Sequence, residues 1–157
     1  MEKTIEIRRN FIKKSLGAAG IILCSGGLST LLDSCTTPFN AAPEGTASID
    51  LSMVTELSKD GGITEKVFTD QFNNAPIIII RENKNKYLAF CTVCTHYGKK
   101  VSAPSNGTSD MICKAHNGHF SPVDGRVISG PPKKGLTKYL TTYDPDTNIL
   151  TISDWVY

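Results

Sequence analysis

All three histidines of this 157-residue chain, and two of its five cysteines, fall within the stretch from Cys94 to His119. The first half reads Cys91-Thr92-Val93-Cys94-Thr95-His96-Tyr97-Gly98, and the second Cys113-Lys114-Ala115-His116-Asn117-Gly118-His119-Phe120. Thiolates and imidazoles are the donors that bind transition metals. Two groupings of them are open. Cys94-x-His96 is followed after sixteen residues by Cys113-x-x-His116, while Cys91-x-x-Cys94 followed by Cys113-x-x-His116 has an acceptable zinc-ribbon spacing. The zinc grouping uses Cys91 and leaves His96 idle. A disulfide framework is the third possibility, and an odd cysteine count with paired histidines weighs against it.

The first grouping, with Gly130-Pro131-Pro132 downstream, resembles the Rieske iron–sulfur domain. That resemblance implies a [2Fe–2S] cluster with Cys94 and Cys113 on one iron and His96 and His116 on the other, under a covering loop at 130–132. Thiolates stabilise ferric iron, whereas neutral imidazoles leave more charge on theirs, so the imidazole-bound iron takes the electron. It also implies that histidine edges reach the surface, where a partner or quinol approaches. Zinc explains neither His96-Tyr97-Gly98 nor the Gly-Pro-Pro run. On the Rieske reading Cys91 is a small buried hydrophobe and His119 an ordinary exposed or hydrogen-bonded side chain.

The chain departs from the respiratory members of the resembled family at four positions. Lys99 and Ala115 stand where those proteins carry a disulfide, so packing and hydrogen bonds alone must hold the loops. Gly118 and Phe120 stand where they carry Ser and Tyr hydroxyls bonded to sulfur. Such bonds stabilise the reduced, more negative cluster, so their loss lowers the potential.

These loops need a scaffold, and short β-favouring runs supply one: Ile49–Met53, Val67–Thr69, Ile77–Arg81, Lys86–Cys91, Met111–Cys113, Arg126–Ile128, Leu136–Tyr143 and Ile149–Ser153. Ile77-Ile78-Ile79-Ile80 is too short for a buried helix and β-branched throughout, which predicts a central strand. Lys59-Asp60-Gly61-Gly62, Asp124-Gly125 and Asp144-Pro145-Asp146 are turns. No helical periodicity or internal repeat follows residue 48. The fold expected is all-β, an antiparallel sandwich of the Rieske type with a cluster-binding subdomain of two ligand loops, over 49–157.

Ahead of it lie a leader (1–34) and a tether (35–48) rich in small residues, Pro and Gly. Ser15–Leu32 is uncharged and diluted by four glycines, which makes a poor spanning helix. Ile7-Arg8-Arg9-Asn10-Phe11-Ile12-Lys13 resembles the twin-arginine export signal, whose pathway moves folded, cofactor-loaded proteins. Leu32-Asp33-Ser34-Cys35 is similar to a lipobox, from which Asp33 departs, and makes Cys35 the candidate lipidated residue. An uncleaved anchor and a soluble product are the alternatives. The net charge is +2, all of it from the leader, since residues 35–157 carry 12 basic and 12 acidic side chains. Nucleic acid is therefore a poor partner.

The functional expectation is an exported, membrane-tethered Rieske protein on the periplasmic side of a membrane, carrying single electrons between a redox protein or quinol donor and an acceptor. A Rieske subunit of a quinol–cytochrome c reductase, or of a molybdenum oxidoreductase such as arsenite oxidase, is the nearest alternative. A dioxygenase ferredoxin fits the missing disulfide but conflicts with export, and a structural zinc module is the alternative of another class.

Overall fold

The computed structural model describes residues 42–105 and 109–154; the arginine pair, the apolar stretch and Cys35 lie outside them. The described residues form nine strands: β1 (Ala47–Asp50), β2 (Ile63–Lys66), β3 (Ile77–Asn83), β4 (Lys86–Cys91), β5 (Met111–Cys113), β6 (Gly118–Phe120), β7 (Val127–Ser129), β8 (Lys138–Asp144) and β9 (Ile149–Ser153). Every strand pairing is antiparallel, and only three-residue 3-10 turns interrupt the β structure, as the all-β expectation has it.

Six strands make one sheet in the order β1-β9-β8-β4-β3-β2, and three make a second, β5-β6-β7. Because β4 and β8 are neighbours, residues 92–137 form one insertion between two adjacent strands of the large sheet. Both candidate ligand segments and the small sheet belong to that insertion.

The isoleucine run explains how the two parts share a core. Successive strand side chains point to opposite faces. Ile77 and Ile79 join Tyr87, Ala89, Cys91, Tyr139, Leu150 and Ile152 in one core, within the large sheet. Ile78 and Ile80 join Leu88 and Phe90 in the other, against Cys94, Val101, Met111, Cys113, Phe120 and Leu136 of the insertion and its flank. A strand buried on both faces needs a continuous apolar run, and the four isoleucines supply it.

Several boundaries differ from expectation. The first strand ends at Asp50, whose carboxylate accepts from the Ser52 amide at 2.8 Å and turns Leu51–Met53 into a 3-10 turn. Val67–Thr69 is not a strand; Ile63–Lys66 is, because its backbone pairs with Ile77–Ile80 despite mixed polarity. Leu136 precedes β8 and instead donates its amide to the Gly125 carbonyl at 2.8 Å. The end of the tether is docked as well: Pro43 is buried, its carbonyl accepts from the Tyr139 hydroxyl at 2.8 Å, and the Glu44 carbonyl accepts from the Phe72 amide at 3.1 Å.

Candidate metal centre

Three loops of the insertion meet at one end. In the first, the Cys94 amide donates to the Lys99 carbonyl at 2.9 Å and the Gly98 amide to the Cys94 carbonyl at 2.8 Å. Gly98 sits at φ 63, a left-handed conformation that favours glycine. This tight turn carries His96 and Tyr97. In the second loop, Cys113 at the end of β5 pairs with Gly118 at the start of β6, so residues 114–117 are the hairpin connection.

The third loop clamps the second. A Cβ on Gly130, at φ 93, would lie 2.5 Å from the Asn117 carbonyl oxygen, and a Cβ on Gly118 would lie 2.8 Å from Cγ of Pro132. The Thr95 hydroxyl donates to the Lys134 carbonyl at 2.6 Å and ties the first loop to the third. The described cysteines are free thiols, so hydrogen bonds and close packing fasten the described loops, with Lys99 and Ala115 both exposed.

The four candidate donors converge there. Cys94 and Cys113 are each 1% exposed, and their sulfurs lie within hydrogen-bond reach of one another. Burial pushes the Cys94 thiol up; the His96 amide, bonded to its sulfur, pulls the other way; the neighbouring Cys113 adds to the rise. Two thiolates side by side in an apolar core require positive charge between them. On the outer side the His96 and His116 rings stand 4.9 Å apart between centroids, at 84°, with His116 exposed and His96 half-buried. The donor set is thus an inner thiol pair and an outer imidazole pair.

That arrangement fits a binuclear cluster better than a single ion. The donors fall into two pairs, one of thiols and one of imidazoles, where a zinc tetrahedron needs four around one ion. Cys91 packs in the other core, its sulfur accepting from the Val93 amide at 3.3 Å and meeting the Tyr139 hydroxyl. Cys91 and the Cys94–Cys113 pair lie in different cores, so the zinc grouping is not assembled. His119 bonds to Asp110 at 3.1 Å and Asn117 at 3.3 Å, which is the hydrogen-bonded role expected of it.

Sequence reading missed Thr95 and the Gly118–Pro132 contact. A hydroxyl between two candidate ligands was the available signal for Thr95; the glycine's role depends on a loop fourteen residues downstream, which spacing does not reveal. β6 was missed for a similar reason, since Gly-His-Phe has little strand propensity of its own and is held by pairing on both sides.

Comparison with known proteins points to a family. The Rieske [2Fe-2S] domain family matches residues 51–143. A protein of Haloferax mediterranei named as the Rieske subunit of a respiratory nitrate reductase is 36% identical over 70 residues, 44% of this chain and 31% of that one. The chain therefore spans about a third of that relative's length. The cytochrome b6-f complex iron-sulfur subunit of Chlorobaculum tepidum is 24% identical over 152 residues, covering 93% of this chain and 76% of the relative. Among solved structures, the plasma membrane Rieske protein of Synechocystis PCC 6803 aligns with a TM-score of 0.47 and 21% identity, over 72% of this chain and 99% of that one. With its matched region spanning more than half its length, the chain belongs to the Rieske [2Fe-2S] domain family and binds a [2Fe–2S] cluster.

Proposed function

We propose that this protein is a one-electron carrier whose cluster is held by Cys94 and Cys113 on one iron and His96 and His116 on the other. When bound, the cluster supplies a one-electron couple. The observation that carries the reading is the layering of the site, with two buried thiols behind two imidazoles and His116 at the surface. The apolar walls of Phe120, Phe90 and Met111 keep water from the thiols. The His96 and Tyr97 amides donate to the Cys94 sulfur and stabilise its anionic form. The exposed imidazole edge gives an outside redox centre its shortest approach. Protein-film voltammetry tests this: one reversible one-electron wave is expected, absent in His116→Ala. A wave that survives that change would remove His116 from the site.

We also propose that the chain works outside the cytoplasm, tethered to a membrane through Cys35 after twin-arginine export. Support comes from the sequence alone, in Arg8-Arg9, Phe11 and the Leu32–Cys35 run. Replacing both arginines by Lys should leave the protein in the cytoplasm, and Cys35→Ala should abolish fatty-acid labelling. Retention in the membrane without labelling would favour an uncleaved anchor. The names of the two relatives make docking on a larger redox complex the favoured setting.

A further inference from the structure

We infer that the loop end of the insertion docks an acidic redox protein through a collar of lysines, and that the neutral body is a charge dipole which turns this end toward it. The inference rests on the electron-carrier reading above. The 12 basic and 12 acidic side chains of the body are not evenly mixed. Residues 92–135 hold six Lys or Arg against two Asp or Glu, a net of +4, and the rest of the body holds six against ten, a net of −4. Part of this charge is internally matched. Asp124 lies 3.7 Å from Arg126, Asp110 is engaged by His119 at 3.1 Å, and Lys100 reaches back 2.7 Å to Glu65 of β2.

Four lysines are left exposed and outside any ion pair found among the described residues: Lys99, Lys114, Lys133 and Lys134. Each of the three loops contributes. Lys99 accepts from the Cys94 amide through its carbonyl, Lys114 follows Cys113, and Lys134 accepts from Thr95 through its carbonyl, with Lys133 beside it. Within the collar Tyr97, 60% exposed, stands edge-on to His96 at 4.5 Å and lies 5.7 Å from His116. An aromatic centre with a charged rim is the anatomy of a protein interface.

Five of the ten acids outside the insertion border turns at the other end, whereas Glu65 reaches the insertion itself through Lys100 and the Ala103 amide. β4 enters the insertion at Cys91, opposite Ile77, while the β3–β4 hairpin turns at 84–85 and the β8–β9 hairpin at 145–148. Glu82 borders the first turn, Asp144 and Asp146 the second, Asp50 pairs across from Ile149, and Asp60 is bridged to Arg81 at 3.1 Å. Such a dipole gives orientation without net attraction, and the collar selects an acidic rim on the partner. A protein partner is favoured over an anionic membrane because the lysines ring the candidate ligands, and lipid there would cover the exposed His116.

The test is stopped-flow oxidation of the reduced, full-length holoprotein by two probes, an acidic plastocyanin and a basic cytochrome c. Raising ionic strength from about 10 to about 300 mM should cut the plastocyanin rate constant by ~10-fold or more and leave the cytochrome c rate unchanged or higher. Lys99→Glu with Lys133→Glu should reverse this preference. Lys59→Glu with Lys84→Glu, an equal charge change at the far end, should leave it intact. Equal salt dependence with both probes would overturn the collar. So would binding to phosphatidylglycerol vesicles that the Lys99 and Lys133 changes abolish, without any preference for plastocyanin. A reduced cluster that neither protein nor neutral benzoquinone oxidises would instead overturn the electron-carrier reading itself.

Discussion

In the large sheet, β3 and β4 bury side chains on both faces, and the order of strands is held by long runs of backbone pairing. In the insertion between β4 and β8 the strands are three residues long, and position depends on single contacts: a threonine hydroxyl on a carbonyl, a proline ring on a glycine, two glycines at positive φ. The sheet stabilises through apolar area, which tolerates modest change, whereas the loops position donors through individual bonds and contacts. The charge divides along the same boundary, positive on the insertion and negative elsewhere. Stability and chemistry therefore occupy different parts of one domain, joined by the core under Phe90 and Phe120.

The sharpest separation comes from a ligand. Cys113→Ala should abolish iron and sulfide binding while circular dichroism still reports the large sheet, whose other face packs in a core that Cys113 does not enter. Collapse of the whole domain would show that the cluster holds the sheet together as well. The next largest effect belongs to the joint. Phe90 is fully buried, and its ring lies 3.2 Å from where a Cβ on Gly125 would sit, so Phe90→Ala should cost ~3–5 kcal/mol in urea unfolding and also speed cluster loss. If only one of the two changes, the parts are less coupled than their shared core implies.

The large sheet was readable because its signals are local. Four β-branched residues in a row and turn runs such as Asp144-Pro145-Asp146 between β8 and β9 mark strands without reference to distant segments. The donor set was legible for a different reason: Cys and His are scarce, so their spacing stands out. The fastening of the loops was not legible, since Thr95–Lys134 and Gly118–Pro132 join positions distant in sequence. The charge dipole also escaped notice, because a neutral total conceals how lysines are distributed between one insertion and its host.

If the loss of two hydroxyls lowers the potential, restoring both, Gly118→Ser with Phe120→Tyr, should raise it wherever the new side chains fit. A side chain at Gly118 meets the buried Pro132 ring, so Gly118→Ser should displace the third loop and cost ~1–3 kcal/mol. Phe120→Tyr alone is the cleaner change. An O–H···S bond favouring the reduced state by ~1–2 kcal/mol would raise a one-electron potential by roughly 40–90 mV in voltammetry. No rise would mean that backbone donors, such as the His96 and Tyr97 amides on Cys94, set the potential.

The smallest effect sits in the other core. Burial raises the Cys91 thiol above its ordinary 9.0 and the Tyr139 phenol above 10.0. Both groups ionise first in the unfolded chain, so their contribution is whole below about pH 9 and is lost as pH rises toward the folded-state values. Holoprotein stability should therefore decline above pH 9, less steeply in Cys91→Ala, as denaturant midpoints would show. The same variant should keep its full iron content, which a zinc-ribbon ligand could not lose without effect.

The central claim is that two thiols and two imidazoles from this insertion hold one binuclear cluster. Its most direct test is metal and sulfide analysis, with electron paramagnetic resonance, on reduced protein purified anaerobically from its native host. The account predicts about two irons and two acid-labile sulfides per chain, and the low-average-g signal of imidazole-ligated iron. One zinc per chain, or the signal of a cluster bound by four thiolates, would contradict it.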